Sequence, residues 1–178
     1  MRICIFSSVA DVDQKYVKAG EELARLIAKN GHTVVCGASN HGLMKRVVDV
    51  ALANGASVTG VISESLIAQV DKGYEIIVEK DLAARKAQFL ALSDAFAVLP
   101  GGLGTLDEMT EVLELKKHAT HNKPIVILNT NGFYDGLKQQ LERMESEGFL
   151  PKSLSEYLFF AQTPREAIDY LSSQYFVI

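Results

Sequence analysis

Leu99-Pro100-Gly101-Gly102-Leu103-Gly104-Thr105-Leu106-Asp107-Glu108 joins two segments of opposite character. Before it runs Ala95-Phe96-Ala97-Val98-Leu99, an apolar stretch with the length and composition of a short buried strand. After it, Leu106, Met109 and Leu113 recur on one helical face, which predicts a helix starting near Thr105. A strand, a glycine-rich turn and a helix start together make an anion site. Gly101, Gly102 and Gly104 let backbone N–H groups approach a phosphate, and the helix N-terminus adds partial positive charge. Glu108 falls one turn into that helix, beside whatever the loop holds. A plainer reading is a tight turn in which Thr105 and Glu108 form a capping box. The loop carries neither a G-x-G-x-x-G dinucleotide fingerprint nor a G-K-[ST] P-loop ending, so a different phosphate-bearing ligand is expected.

Outward from this loop, short apolar runs alternate with segments of helical spacing. Arg2 to Phe6, His32 to Cys36, Ser57 to Ile62, Tyr74 to Val78, Pro124 to Leu128 and Leu158 to Phe160 read as further strands. Helices are expected over Asp13 to Asn30, from the Gly37–Gly42 turn to Asn54-Gly55, and over Leu82 to Leu92 with Asp81 as N-cap. Others run from Phe133 to Glu147, and from Pro164 to about Ser173 behind a Thr163–Glu166 capping box. Ser63 to Lys72 is less regular. The alternation predicts one α/β domain over 1–178, doubly wound, with a mostly parallel sheet. In that architecture ligands bind at strand C-termini. Three loops fall there: Ser7-Ser8, Gly37 to Gly42, and Gly101 to Thr105.

Composition narrows the function classes. The 178 residues are 48% hydrophobic and 22% charged, which suits a globular domain with one sizeable core. A net charge of -4 argues against a surface that coats nucleic acid. No apolar run approaches the roughly 18 residues of a membrane span, and Met1-Arg2 leads straight into a strand, so a cytoplasmic protein is expected. Cys4 and Cys36 each sit inside an apolar run and read as unbridged core residues of a reducing compartment.

Among residues that could carry chemistry, Arg85-Lys86 lie on the helix preceding the central strand. An isolated pair of cations is usually a solvated surface, but the end of this helix can face the glycine loop, where an arginine would fork onto phosphate or carboxylate. Glu108 and Glu111, three apart, share a helical face. Either they are solvated, or one stabilises positive charge on a sugar, as cleavage of an N-glycosidic bond requires. The four histidines show no metal-ligand spacing, and G-x-S-x-G does not occur, so neither a metal nor a serine nucleophile is expected.

These residues resemble the Lonely Guy family, nucleoside 5′-monophosphate phosphoribohydrolases that activate cytokinins and long bore a lysine decarboxylase label. The family's P-G-G-x-G-T-x-x-E is matched from Pro100 to Glu108 and its R-K pair by Arg85-Lys86. Its L-N-x-x-G-[FY]-[YF] segment is matched from Leu128 to Tyr134, and its helix end by Gly148-Phe149. The resemblance implies a modified Rossmann fold, a homodimer, and hydrolysis of a nucleotide monophosphate to free base and ribose 5-phosphate without metal or cofactor. It implies Arg85 and Glu108 as the catalytic pair, Gly101, Gly102, Gly104 and Thr105 as phosphate holders, and Lys86 as their assistant. Ser7, Ser8, Gly37, Ser39, Gly42, Met44, Leu103 and Glu111 complete the expected substrate site. The chain departs from the family after the first two strands. It has Ser7-Ser8-Val9 for a C-G-S type turn, Ala38 and Ser39 for two glycines, and Lys45 for a third. The altered second loop also fits a nucleotide-binding or sensing module that does no catalysis.

Overall fold

The structure is a computed structural model that describes residues 1–175; the last three residues of the expected 1–178 domain lie outside the described residues. Seven strands form a single sheet: β1 (Arg2–Phe6), β2 (Thr33–Cys36), β3 (Val58–Ser63), β4 (Glu75–Glu79), β5 (Ala95–Val98), β6 (Ile125–Leu128) and β7 (Phe159–Ala161). Helices α1 (Gln14–Lys29), α2 (Gly42–Ala53), α3 (Leu82–Leu92), α4 (Leu103–Lys117), α5 (Asp135–Ser146), α6 (Leu154–Tyr157) and α7 (Pro164–Tyr175) connect them.

The strand order is β4-β3-β2-β1-β5-β6-β7, and every strand pair is parallel. The chain steps from β1 outward to β4, then returns through α3 to lay β5 against the other side of β1. The winding therefore reverses between β1 and β5, where a doubly wound sheet opens its ligand crevice. Register puts Phe6 opposite Val98, and the Leu99 N–H donates to the Phe6 carbonyl at 2.9 Å. The loops after these two strands consequently leave the sheet side by side.

Side chains on successive strand residues part to opposite faces. Ile3, Ile5, Val34, Cys36, Ala95, Ala97 and Leu99 pack under α1, α2 and α7. Cys4, Phe6, Val35, Val61, Phe96, Val98, Ile125 and Ile127 pack against Phe89 of α3, Met109 and Val112 of α4, and Leu154 of α6. Both faces are covered, which is why the central strands read as unbroken apolar runs. Cys4 and Cys36 belong to different faces and are both free thiols, as expected.

Capping residues set several helix ends where the sequence placed them. The Asp13 and Asp81 carboxylates accept from the Lys15 and Ala84 N–H groups. The Thr163 hydroxyl accepts from the Glu166 N–H, while the Glu166 carboxylate accepts from the Gln162 N–H, one residue before the cap. Two helix starts differ from expectation by two residues. The central helix begins at Leu103 rather than Thr105, because Gly102 adopts an extended backbone (φ -90°, ψ -155°) and serves as the cap itself. Helix α5 begins at Asp135 rather than Phe133, because Asn131 and Gly132 take left-handed conformations (φ 53° and 70°) in a short 3-10 turn. The irregular stretch after β3 holds a 3-10 turn, Glu64–Gln69.

Candidate active site

A cleft of about 370 Å³ opens at the C-terminal ends of β1, β2, β3 and β5. Ser7, Ser8 and Val9 follow β1, Gly37 and Ser39 follow β2, and Gly102 to Thr105 follow β5, so the three loops singled out from sequence meet in one crevice. Arg85 and Glu108 lie between them.

Arg85 projects from the first turns of α3 and is held on three sides. Its Nε donates to the Val61 carbonyl at 2.9 Å, its Nη1 donates to Glu108 Oε1 at 2.8 Å, and its guanidinium stands 4.7 Å from the centre of the Phe89 ring. Only 11% of the Arg85 side chain and 9% of the Glu108 side chain is exposed, so neither belongs to the solvated surface that isolated charge pairs usually mark. Breaking a buried pair on one side strands the other charge, at a cost of about 3–5 kcal/mol. Burial pushes the Glu108 carboxyl above its ordinary value. The facing Arg85 charge and its hydrogen bond pull it back, Asp107 adds a smaller upward push, and Lys86 a weaker downward pull. Burial outweighs the arginine, so the carboxyl holds its proton more tightly than an ordinary glutamate.

The glycine loop does two separate jobs. A Cβ at Gly101 would stand 2.2 Å from Thr105 Oγ1, so Gly101 is required by packing. Gly102 and Gly104 have no heavy atom within 4 Å of a Cβ position, and both line the open cleft. None of the three has a positive φ, so the absence of side-chain bulk matters here, not backbone freedom. No side chain caps α4, which leaves the first N–H groups of that helix available to an anion. The Ser7 hydroxyl, on a residue only 4% exposed, lines the same cleft without a hydrogen-bond partner among the described residues. Thr105 and Glu108 do not form the capping box of the plainer reading. The helix starts two residues earlier, Thr105 is buried within its first turn, and Glu108 turns to Arg85.

The Leu128–Tyr134 segment supports the loop from behind. The buried Asn129 side chain accepts from the Tyr134 N–H through Oδ1 at 2.7 Å and donates from Nδ2 to Asp135 Oδ1. Tyr134, thus oriented, donates its hydroxyl to the Leu99 carbonyl at 2.8 Å.

The remaining expected residues divide into two groups. Ser8, Gly37, Ser39, Met44 and Leu103 line the cleft. A Cβ on Gly37 would fall 2.3 Å from an Arg85 nitrogen, so that glycine makes room for the guanidinium. Lys86 and Glu111 pair with each other just outside, and Lys86 also reaches Asp107 at 3.0 Å. Gly42 turns the chain into α2 with φ 59°, under the Val9 and Ala10 carbonyls. Sequence reading missed Ile62, Leu66 and Gln69, which wall the cleft beyond β3. Their only signal was the loss of regular spacing after Ile62.

This is a doubly wound α/β protein with an uncapped helix N-terminus and a buried arginine–glutamate pair at its switch point. A family model described as possible lysine decarboxylase matches residues 44–171, and the chain belongs to that family, the Lonely Guy family. A cytokinin riboside 5′-monophosphate phosphoribohydrolase of Rhodococcoides fascians is 39% identical over 140 residues, covering 76% of this chain and 71% of that protein. A probable enzyme of the same name from Oryza sativa subsp. japonica is 33% identical over 174 residues, covering 96% and 71%. The molybdenum cofactor binding protein of Rippkaea orientalis shares the fold, with a TM-score of 0.75 at 23% identity over 97% of this chain and 95% of that one.

Proposed function

We propose that the protein hydrolyses the N-glycosidic bond of a purine nucleoside 5′-monophosphate, AMP or an N6-substituted relative, to free base and ribose 5-phosphate. The observation that carries this reading is the buried Arg85–Glu108 pair beside an uncapped helix N-terminus in one cleft. The 5′-phosphate sits against the N–H groups of Gly102 to Thr105. The ribose then lies over Glu108, whose ionised carboxylate stabilises the positive charge that grows on the sugar as the bond to the base lengthens. A water oxygen bonds to the anomeric carbon, and the electron pair of the broken bond leaves with the base, which gains a proton. Arg85 holds Glu108 ionised and aimed. Relatives whose names carry this activity support the reading.

The test is a chromatographic assay for free base with AMP and isopentenyl-AMP. Glu108→Gln is expected to keep nucleotide binding and lose about 10²–10⁴-fold in turnover. Unchanged turnover would remove Glu108 from the mechanism. Binding with no base released by the unaltered protein would favour a nucleotide sensor instead.

We further propose that the protein works as a homodimer. Ala83, Ala87 and Ala91 form an exposed apolar stripe along α3, and Leu103 at the cleft mouth is 86% exposed. A second copy covering this face would shield both and adjoin the active site. Two buried, unbridged thiols fit a reducing, cytoplasmic setting.

A further inference from the structure

The segment after β3 does not simply connect to β4. It folds back over the loop after β2 as a short strap. The Asn40 N–H donates to the Gln69 carbonyl and the Asp71 N–H to the Ala38 carbonyl, each at 2.9 Å, with an antiparallel bridge between Ser39 and Val70. A side chain of α2 ties the strap down as well. Lys45 Nζ reaches Asp71 Oδ2 at 3.3 Å and Asp49 Oδ1 at 2.8 Å. The Asp71 side chain is 15% exposed and that of Lys45 37%, so the pair is partly sheltered from solvent.

The strap bears on the cleft. Its Leu66 and Gln69 line the wall beyond β3, with Ile62 and Met44 beneath them. Strands lie about 4.8 Å apart, so this wall is three strand spacings, about 14 Å, from the phosphate cradle after β5. Arg85 and Glu108 stand between the two ends. On the activity proposed above, the phosphate, sugar and base lie in that order. The base then falls between Met44, Ile62 and Leu66, apolar surfaces suited to a purine face, with the Gln69 side chain at its edge.

We infer that the Leu66–Gln69 strap selects the base, and that Lys45 is a positioning residue that holds it shut. On this inference a strap tied down at Asp71 narrows the wall lined by Leu66 and Gln69, which disfavours a branched N6 substituent more than an unsubstituted purine. The inference rests on the proposed substrate class, but its test is a binding measurement and does not need turnover.

Calorimetric Kd values for AMP and isopentenyl-AMP would be compared in a Glu108→Gln background, alone and with Lys45→Ala, Lys45→Arg or Leu66→Ala added. The parent is expected to bind AMP more tightly. Lys45→Ala and Leu66→Ala should each move the ratio of the two Kd values about tenfold toward isopentenyl-AMP, and Lys45→Arg should restore it. If Lys45→Ala does not fold, Asp71→Asn cuts the same tie from the other side and should shift the ratio in the same direction. A ratio that stays constant across these variants, or a parent that prefers isopentenyl-AMP, overturns the inference. Absence of base release by the unaltered protein would instead count against the proposed hydrolysis and leave the selectivity result standing.

Discussion

Glu108 is set by two opposed influences, burial raising its pKa and Arg85 lowering it, with burial the larger. The charge-stabilising role proposed for it needs the ionised form. We therefore expect kcat/KM to fall with decreasing pH through a midpoint above the ordinary glutamate value of 4.5, and Arg85→Gln to move that midpoint further up. A pH–rate profile of each protein checks both. The same shift has a stability cost. The folded protein holds this proton more tightly than the unfolded chain, so the contribution of Glu108 to stability declines as pH rises from 4.5 through the raised value. The glycines allow a sharper separation of packing from binding. Gly104→Ala adds a methyl in open space within a helix, where alanine is favoured by up to about 1 kcal/mol, so thermal stability should hold or rise while KM increases. Gly101→Ala drives a methyl into Thr105 and should lower both stability and affinity, read by thermal melts beside KM. Glu108 was legible in sequence because it falls one turn into the helix after the glycine loop, and Arg85 because it matches the R-K pair of the family the chain resembles. Leu66 and Gln69 were not, since nothing local in Ser63–Lys72 signals that the strap turns back.

At the scale of elements, the loop after β5 depends on a neighbour it does not touch in sequence. Tyr134 closes a chain from Asn129 through its own backbone to the Leu99 carbonyl. Tyr134→Phe removes one buried hydrogen bond, so a loss of about 1 kcal/mol is expected in urea unfolding, with a larger proportional rise in KM than fall in kcat. Equal effects on both constants would mean that the hydroxyl does not position the cradle. Helix spans were readable because Asp13, Asp81 and Thr163 cap where their side chains can reach. The start of α4 was misplaced by two residues because Thr105 mimics a cap, while Gly102 caps by backbone conformation alone. A side chain advertises a cap in sequence; an extended glycine does not.

For the whole molecule, alternating strands and helices foretold the parallel sheet, since an apolar run buried on both faces needs helices on both sides. The position of β4 at one edge and β7 at the other is a product of packing that no local run encodes. The pairing proposed for the exposed stripe on α3 has a direct test. Ultracentrifugation of the 19.5 kDa chain should give twice that mass, and Ala87→Arg should return the single-chain mass by setting a charge in the pairing face. A native chain already at the single mass would remove the dimer.

The division of the core into two faces has a use in following how the molecule opens. Cys4 lies in one layer and Cys36 in the other, each fully enclosed, with burial raising the Cys4 thiol well above its usual range and Cys36 to about 11. Thiol reagents attack the thiolate, so neither sulfur reacts while its layer stays closed. The pair forms two built-in clocks, one per layer. If the layers part together, both sulfurs are modified at a single rate, and if one side loosens first, its cysteine keeps the faster time.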